Sequence, residues 1–126
     1  MTEQKPYPGQ AADWRGYDRY KFEVNGRQSY VVPPKAEALG RPWIWRARFF
    51  DAWPGVDLAM LERGYHLVYT DVAGLFGAPL AVAQWDAFYA FLVEEYGFAP
   101  KAALEGFSRG GLIVYNWAAK SPDKVA

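Results

Sequence analysis

Apolar and polar positions follow one period early in the chain and another period later. Tyr20-Lys21-Phe22-Glu23-Val24 alternates apolar and charged side chains, and Arg27 to Val32 resumes the strand-like pattern after Asn25-Gly26. An Asn-Gly pair between two such runs predicts a β-hairpin, because both turn residues must accept positive φ. Pro33-Pro34 stops the second run, and Trp43 to Phe49, entered from Pro42, predicts a third strand rich in rings. Residues 1–19 contain Lys5-Pro6-Tyr7-Pro8-Gly9 and no apolar period, so they are expected as an extended lead-in, with the domain proper spanning residues 20–126.

The period then changes. Pro54 to Arg63 predicts a short helix ended by Gly64, a residue suited to the left-handed position just past a helix. Tyr65 to Val72 is mostly apolar and β-prone, as a buried parallel strand requires. After a loop with Gly74, Gly77 and Pro79, a longer helix is expected from about Ala81 to Tyr96. Its buried face is read as Val82, Trp85, Phe88 or Tyr89, Leu92 and Tyr96. Ala102 to Glu105 predicts a short strand. Ser108 to Lys120, with hardly any internal charge, predicts a buried helix. A hairpin followed by β-α-β-α-β-α predicts an α/β fold, with a parallel sheet, helices on both faces and right-handed crossovers. Pro122 to Ala126 reads as a turn and the first residues of a further strand, and that ending is taken as a sign of an incomplete chain, truncated after the last helix.

Composition narrows the function classes. The 126 residues suffice for one domain with a real core. Fourteen basic residues balance fourteen acidic ones, so no excess of cations marks a nucleic-acid partner. The absence of cysteine removes disulfides, thiolate chemistry and Cys-based zinc sites, and a single histidine leaves no His-rich metal centre. No metal or cofactor is implied. The polar N-terminus lacks the apolar stretch of a secretory signal, and no apolar run approaches the roughly 20 residues needed to cross a bilayer. No membrane partner is expected, and the default location is the cytoplasm.

Gly106-Phe107-Ser108-Arg109-Gly110 carries the chemistry. A Gly-x-Ser-x-Gly pattern arises by chance in about 4% of chains of this length at ordinary residue usage, so its context decides. Here it follows a short apolar strand directly and opens a buried helix, the setting of a nucleophile elbow. Glycines at 106 and 110 let strand and helix cross closely, and Gly111 adds room. The turn puts Ser108 at a helix N-terminus, where free N–H groups and the helix dipole favour a developing oxyanion. The backbone N–H of Arg109 is the expected first oxyanion donor. The alternative is a glycine-rich strand-to-helix turn with an incidental serine.

Phe49 through Ala126 resembles the α/β-hydrolase superfamily, and the preceding hairpin is similar to that fold's antiparallel start. Leu104 to Leu112 is similar to the elbows of its esterase and peptidase branches, and Arg63 to Val72 to the helix-to-strand stretch that precedes them. The resemblance covers most of this chain but about half of a typical domain of the family. It implies a partial α/β-hydrolase fold in which the triad acid and histidine come later, on strand-end loops of a C-terminal half beyond Ala126. Ser108 is the only triad member it carries over. The resemblance puts the second oxyanion donor after the third strand. Arg46 to Asp51 lacks the family's glycine motif there, and Phe49 or Phe50 is the nearest match.

Other candidates are weighed against simpler roles. His66 lies near the start of its strand, about 15 Å from the carboxyl edge where catalysts of open α/β sheets gather, and reads as a packing histidine. Asp71 lies at that edge, either as a pocket residue or as a loop-fixing carboxylate. Phe50 and Phe107 are further pocket candidates. Glu105 needs a partner if buried, and Arg46, Arg48 or Arg109 can supply it; otherwise it shapes the pocket. Trp43, Trp45, Arg46 and Arg48 interleave rings and cations as single-strand binders do, but at zero net charge they read as a core strand.

Two functions are carried forward. The first is a serine hydrolase of esterase type, in which Ser108 attacks an ester or amide carbonyl of a small molecule and the acyl-enzyme is hydrolysed. The second is a non-catalytic hydrolase-like binding module or inactive fragment. The isolated polypeptide is expected to be poorly soluble and to label weakly with a serine-directed fluorophosphonate, because base and acid lie elsewhere.

Overall fold

The computed structural model describes residues 6–47, 50, 54–72, 79–105 and 110–126. Six strands form one sheet in the order β1-β2-β3-β5-β4-β6. They are β1 Gln10–Trp14, β2 Tyr17–Val24, β3 Arg27–Val32, β4 Trp43–Arg46, β5 His66–Thr70 and β6 Ala103–Glu105. The helices are α1 Gly55–Glu62 between β4 and β5, α2 Pro79–Ala90 between β5 and β6, and α3 Gly110–Lys120. α2 runs on into a wider π-helical turn, Phe91–Glu95, and a 3₁₀ turn at Pro122–Lys124 follows α3.

The first three strands form an antiparallel meander. Asn25 and Gly26 have φ of 54° and 78°, and Val24 pairs with Arg27, so the predicted two-residue hairpin is present. A second turn of the same kind joins β1 to β2. Arg15 and Gly16 have φ of 50° and 88° between the paired residues Trp14 and Tyr17. This corrects the expected lead-in over residues 1–19: residues 10–14 form an edge strand, and β2 begins at Tyr17. Residues 10–13 are exposed, which left no apolar period to read.

β3 pairs antiparallel with β5, and β4 pairs parallel with both β5 and β6. Strand alternation then separates two apolar layers. Ile44 and Leu67 face α1 and pack with Leu61, Val32 and Trp14. Trp43, Trp45 and Val68 face the other way, into the larger core with Trp85, Phe88 and Leu92 of the α2 segment and Ile113 and Trp117 of α3. In that core Trp45 stacks on Trp85 with ring centroids 3.9 Å apart, and Trp117 packs edge-on against both.

Polar contacts fix the layers in register. Gln84 of α2 donates to the Val24 carbonyl and to Thr70 Oγ1, both at 2.9 Å, and Ser29 bonds the same hydroxyl from β3. Asp86 accepts from Trp117 Nε1 at 2.9 Å and from Lys120 Nζ at 2.6 Å, tying α2 to α3. α1 is followed, after Arg63, by Gly64, whose φ is 89°; a Cβ there would lie 2.5 Å from the Ala38 nitrogen. The third strand is shorter than predicted, ending at Arg46, and Arg48 and Phe49 lie outside the described residues. Val125 makes a parallel bridge to Ala102, on the side of β6 away from β4. No described helix is long and apolar enough to cross a membrane.

Candidate active site

The connection from β4 runs through α1 on one face of the sheet, and the connection into β6 runs through α2 on the other. Such a reversal opens a crevice at the carboxyl ends of the two strands, where open α/β sheets bind ligands. The last register pair along β4 and β6 is Arg46 with Glu105, and the Ala47 N–H donates to the Glu105 carbonyl at 3.0 Å. Beyond this pair β6 is four residues from α3, which begins at Gly110. Gly106, Phe107, Ser108 and Arg109 fill that interval and lie outside the described residues, as does Phe49.

An ionic cluster lies at this end of the two strands. Arg46 Nη1 donates to Asp57 Oδ2 at 2.6 Å and to Glu105 Oε1 at 3.2 Å. The side chains of Arg46 and Asp57 are 1% and 0% exposed, and that of Glu105 is 18% exposed. The predicted pairing of Glu105 with Arg46 is therefore present. Burial pushes the Glu105 carboxyl up to about 8, helped by a hydrogen bond with Asp57 and by that group's charge, against the pull of Arg46. Asp57 Oδ1 and Glu105 Oε2 are buried with no hydrogen-bond partner among the described residues.

Asp57 is the residue that sequence reasoning missed. It lies in the first turn of α1, four positions before Leu61, and both are buried. A carboxylate in the apolar stripe of a short helix is the signal that was available, since such a charge has to meet a partner.

The other candidates separate across the sheet. His66 opens β5 and pairs with Trp43, the first residue of β4, so it sits at the opposite edge from the Arg46–Glu105 pair. It is 1% exposed, with Nε2 3.5 Å from Glu37 Oε2, and its ring packs on Phe98. Burial, reinforced by Arg41, lowers its pKa to about 4, so it is neutral at pH 7. Asp71 follows β5 at the carboxyl edge, where its N–H donates to the Gln28 carbonyl at 2.8 Å and its carboxylate lies 4.0 Å from Arg27. With Arg19, Lys21, Glu23 and Arg27 it lines an open cleft of about 820 Å³. That cleft lies over the antiparallel strands, with β5 and β4 between it and β6. Phe50 packs against Trp14, Tyr30 and Tyr69, with centroids 5.1, 4.8 and 5.8 Å away, on the α1 side of the sheet. Among the described residues no group of three or more His, Asp and Glu could hold a metal ion.

Solved structures share this architecture. An epoxide hydrolase from Vigna radiata superimposes with a TM-score of 0.66 at 19% identity, over 90% of this chain and 37% of its own. Epoxide Hydrolase A from Mycobacterium thermoresistibile gives 0.58 at 29% identity, over 87% of this chain and 37% of its own. A cold-adapted esterase from an Arctic intertidal metagenomic library gives 0.67 at 19% identity, over 96% of this chain and 61% of its own. The chain thus spans between 37% and 61% of the length of these three proteins. No protein-family model and no curated protein matches it. All three are α/β-hydrolase-fold proteins, and the antiparallel start, the parallel strands crossing over at β4 and the helices on both faces identify this chain as a part of an α/β-hydrolase fold.

Proposed function

We propose that the chain is the nucleophile-bearing part of a serine hydrolase that cleaves a small carboxylic ester by acyl transfer, with Ser108 as the attacking residue. One observation carries this reading. β6 ends at Glu105 and α3 begins at Gly110, so the Gly106-to-Arg109 interval falls between a parallel strand and a helix, at the carboxyl edge beside the crossover strand. Strand, tight turn and helix in that order are the context a Gly-x-Ser-x-Gly nucleophile needs. Ser108 would attack the carbonyl carbon. The oxyanion would be met by the backbone N–H of Arg109 and by one from the segment after β4, at Phe49 or Phe50. Water would then release the acid from the acyl-enzyme. The esterase among the similar structures supports the reaction class, and the epoxide hydrolases support a hydrolase more broadly.

The histidine and acid that would activate Ser108 are assigned to a segment beyond Ala126. Residues from Gln10 onward, which the sheet includes, are accordingly proposed as the N-terminal part of one domain, with the cytoplasm as the proposed location. A binding role without catalysis is the second reading. It is favoured by the position of His66, the sole imidazole in the chain, at the far edge of the sheet. Hydrolysis of p-nitrophenyl acetate by the protein at its natural length separates the two. The catalytic reading expects turnover that drops by about a thousandfold or more in Ser108→Ala. Equal rates in the two proteins would overturn it.

A further inference from the structure

Arg19, Lys21 and Glu23 are alternate residues of β2, so they project from one face of the meander. Gln10 and Ala12 of β1 lie opposite Lys21 and Arg19, and Gln28 of β3 lies opposite Glu23. With Asp71 after β5 these residues line the open cleft of about 820 Å³ over the antiparallel strands. Ligand sites typically enclose roughly 300–1,000 Å³, so the space suits a small molecule. The acyl-transfer scheme gives this cleft no task.

Its cations are unevenly matched. Arg27 lies 4.0 Å from Asp71, whereas Arg19 and Lys21 have no carboxylate within ion-pair reach among the described residues. Glu23 offsets one of these two, so the lining keeps one net positive charge. Arg19 is also held in place. Its guanidinium carbon lies 4.7 Å from the centre of the Tyr30 ring. That ring packs against Phe50 and Tyr69, and its hydroxyl accepts a hydrogen bond from Gln28 Nε2 at 2.5 Å. Arg19 Nε is buried with no acceptor among the described residues. A guanidinium seated on a fixed ring presents its outer N–H groups pre-organised for a planar oxyanion, so binding costs less side-chain entropy. A merely solvated strand face would gain nothing from fixing one of two adjacent unpaired cations.

We propose that this cleft binds a small organic carboxylate, held by Arg19 and Lys21 with Gln10 beside them and with its apolar body over Ala12. The charge balance selects this ligand class. One carboxylate cancels the net charge of the lining, whereas a doubly charged phosphate overshoots it and meets Glu23 and Asp71. Ala12, the residue opposite Arg19, is small enough to leave room for that body beside the guanidinium. The inference holds whether or not Ser108 is a nucleophile.

The test titrates the protein at its natural length with sodium benzoate at low salt and follows backbone amide NMR shifts. Saturable shifts are expected at Gln10, Ala12, Arg19 and Lys21, with a Kd on the order of 1 mM, as suits an open site with two cations. Raising the salt to about 0.3 M should weaken binding roughly threefold. Benzamide, which has the same ring without the charge, should leave these amides unmoved. Combining Arg19→Gln with Lys21→Gln should weaken benzoate binding about tenfold or more. Ala12→Leu keeps every charge but fills the space opposite Arg19, and should weaken binding by a similar factor. Lys101→Gln, in the loop before β6, should bind as wild type does. Unfolding temperatures check that each variant is folded. The proposal is overturned if the cleft amides show no saturable shift, or if benzamide moves them as benzoate does. It is also overturned if both cleft variants bind benzoate as tightly as wild type. Inorganic phosphate binding more tightly than benzoate at the same amides overturns the carboxylate assignment.

Discussion

Buried titratable groups set how this molecule responds to pH, and two of them act in opposite directions. Burial holds the His66 pKa at about 4, against an ordinary imidazole value of 6.5. Between these values the unfolded chain binds more protons, so stability rises with pH there and is complete above 6.5. Glu105 is raised from 4.5 to about 8, so its contribution is complete below 4.5 and is lost as pH climbs toward 8. His66→Gln should therefore remove on the order of 2–3 kcal/mol of acid sensitivity between about pH 6.5 and pH 4, measured by urea unfolding at each pH. An unchanged acid slope in that variant would contradict the neutral, buried assignment. Asp57→Ala leaves Arg46 with Glu105 as its remaining carboxylate partner among the described residues, and should cost about 3–5 kcal/mol in the same measurement at pH 7. A loss below about 1 kcal/mol would mean the pair is not desolvated.

At the scale of elements, turns and rings decide the arrangement, and this is also where sequence reading succeeded and fell short. The Asn25-Gly26 hairpin, the parallel strands and the helix over Trp85, Phe88 and Leu92 were legible because each is a local pattern with a local cause. β1 was not legible. Four of its five residues are exposed, and its turn uses Arg15 in a left-handed conformation that its residue type does not advertise. The carboxyl crevice could be anticipated from strand ends. The Arg46–Asp57 bond could not, because it joins residues 11 positions apart through packing of α1 on the sheet. Gly64→Ala should cost more than about 2 kcal/mol, since it combines positive φ with a Cβ 2.5 Å from the Ala38 nitrogen. The same change at Gly26, with open space around it, should cost only about 1 kcal/mol. Equal losses at the two sites would show that backbone conformation alone matters.

For the whole molecule, the aromatic core is what holds the α2 and α3 layer on the sheet. Trp45, Trp85 and Trp117 are fully buried and in mutual ring contact. Trp85→Ala should cost about 3–5 kcal/mol by chemical denaturation. Because α3 follows directly on the Ser108 segment, the variant should also lower ester turnover at temperatures where it remains folded. The two faces of the sheet thus do different work. The α1 face brings Asp57 to Arg46 and Glu105 at the carboxyl ends of β4 and β6, and the opposite face seats α3, the helix that follows the Ser108 segment.

The central claim is that Ser108 is a nucleophile presented by this fold, and a fluorophosphonate reacted with the protein at its natural length tests it most directly. Mass spectrometry of the digested product should find one adduct, on the peptide containing Ser108, and none in Ser108→Ala. A protein that hydrolyses esters while Ser108 stays unmodified, or that takes the adduct elsewhere, would contradict it.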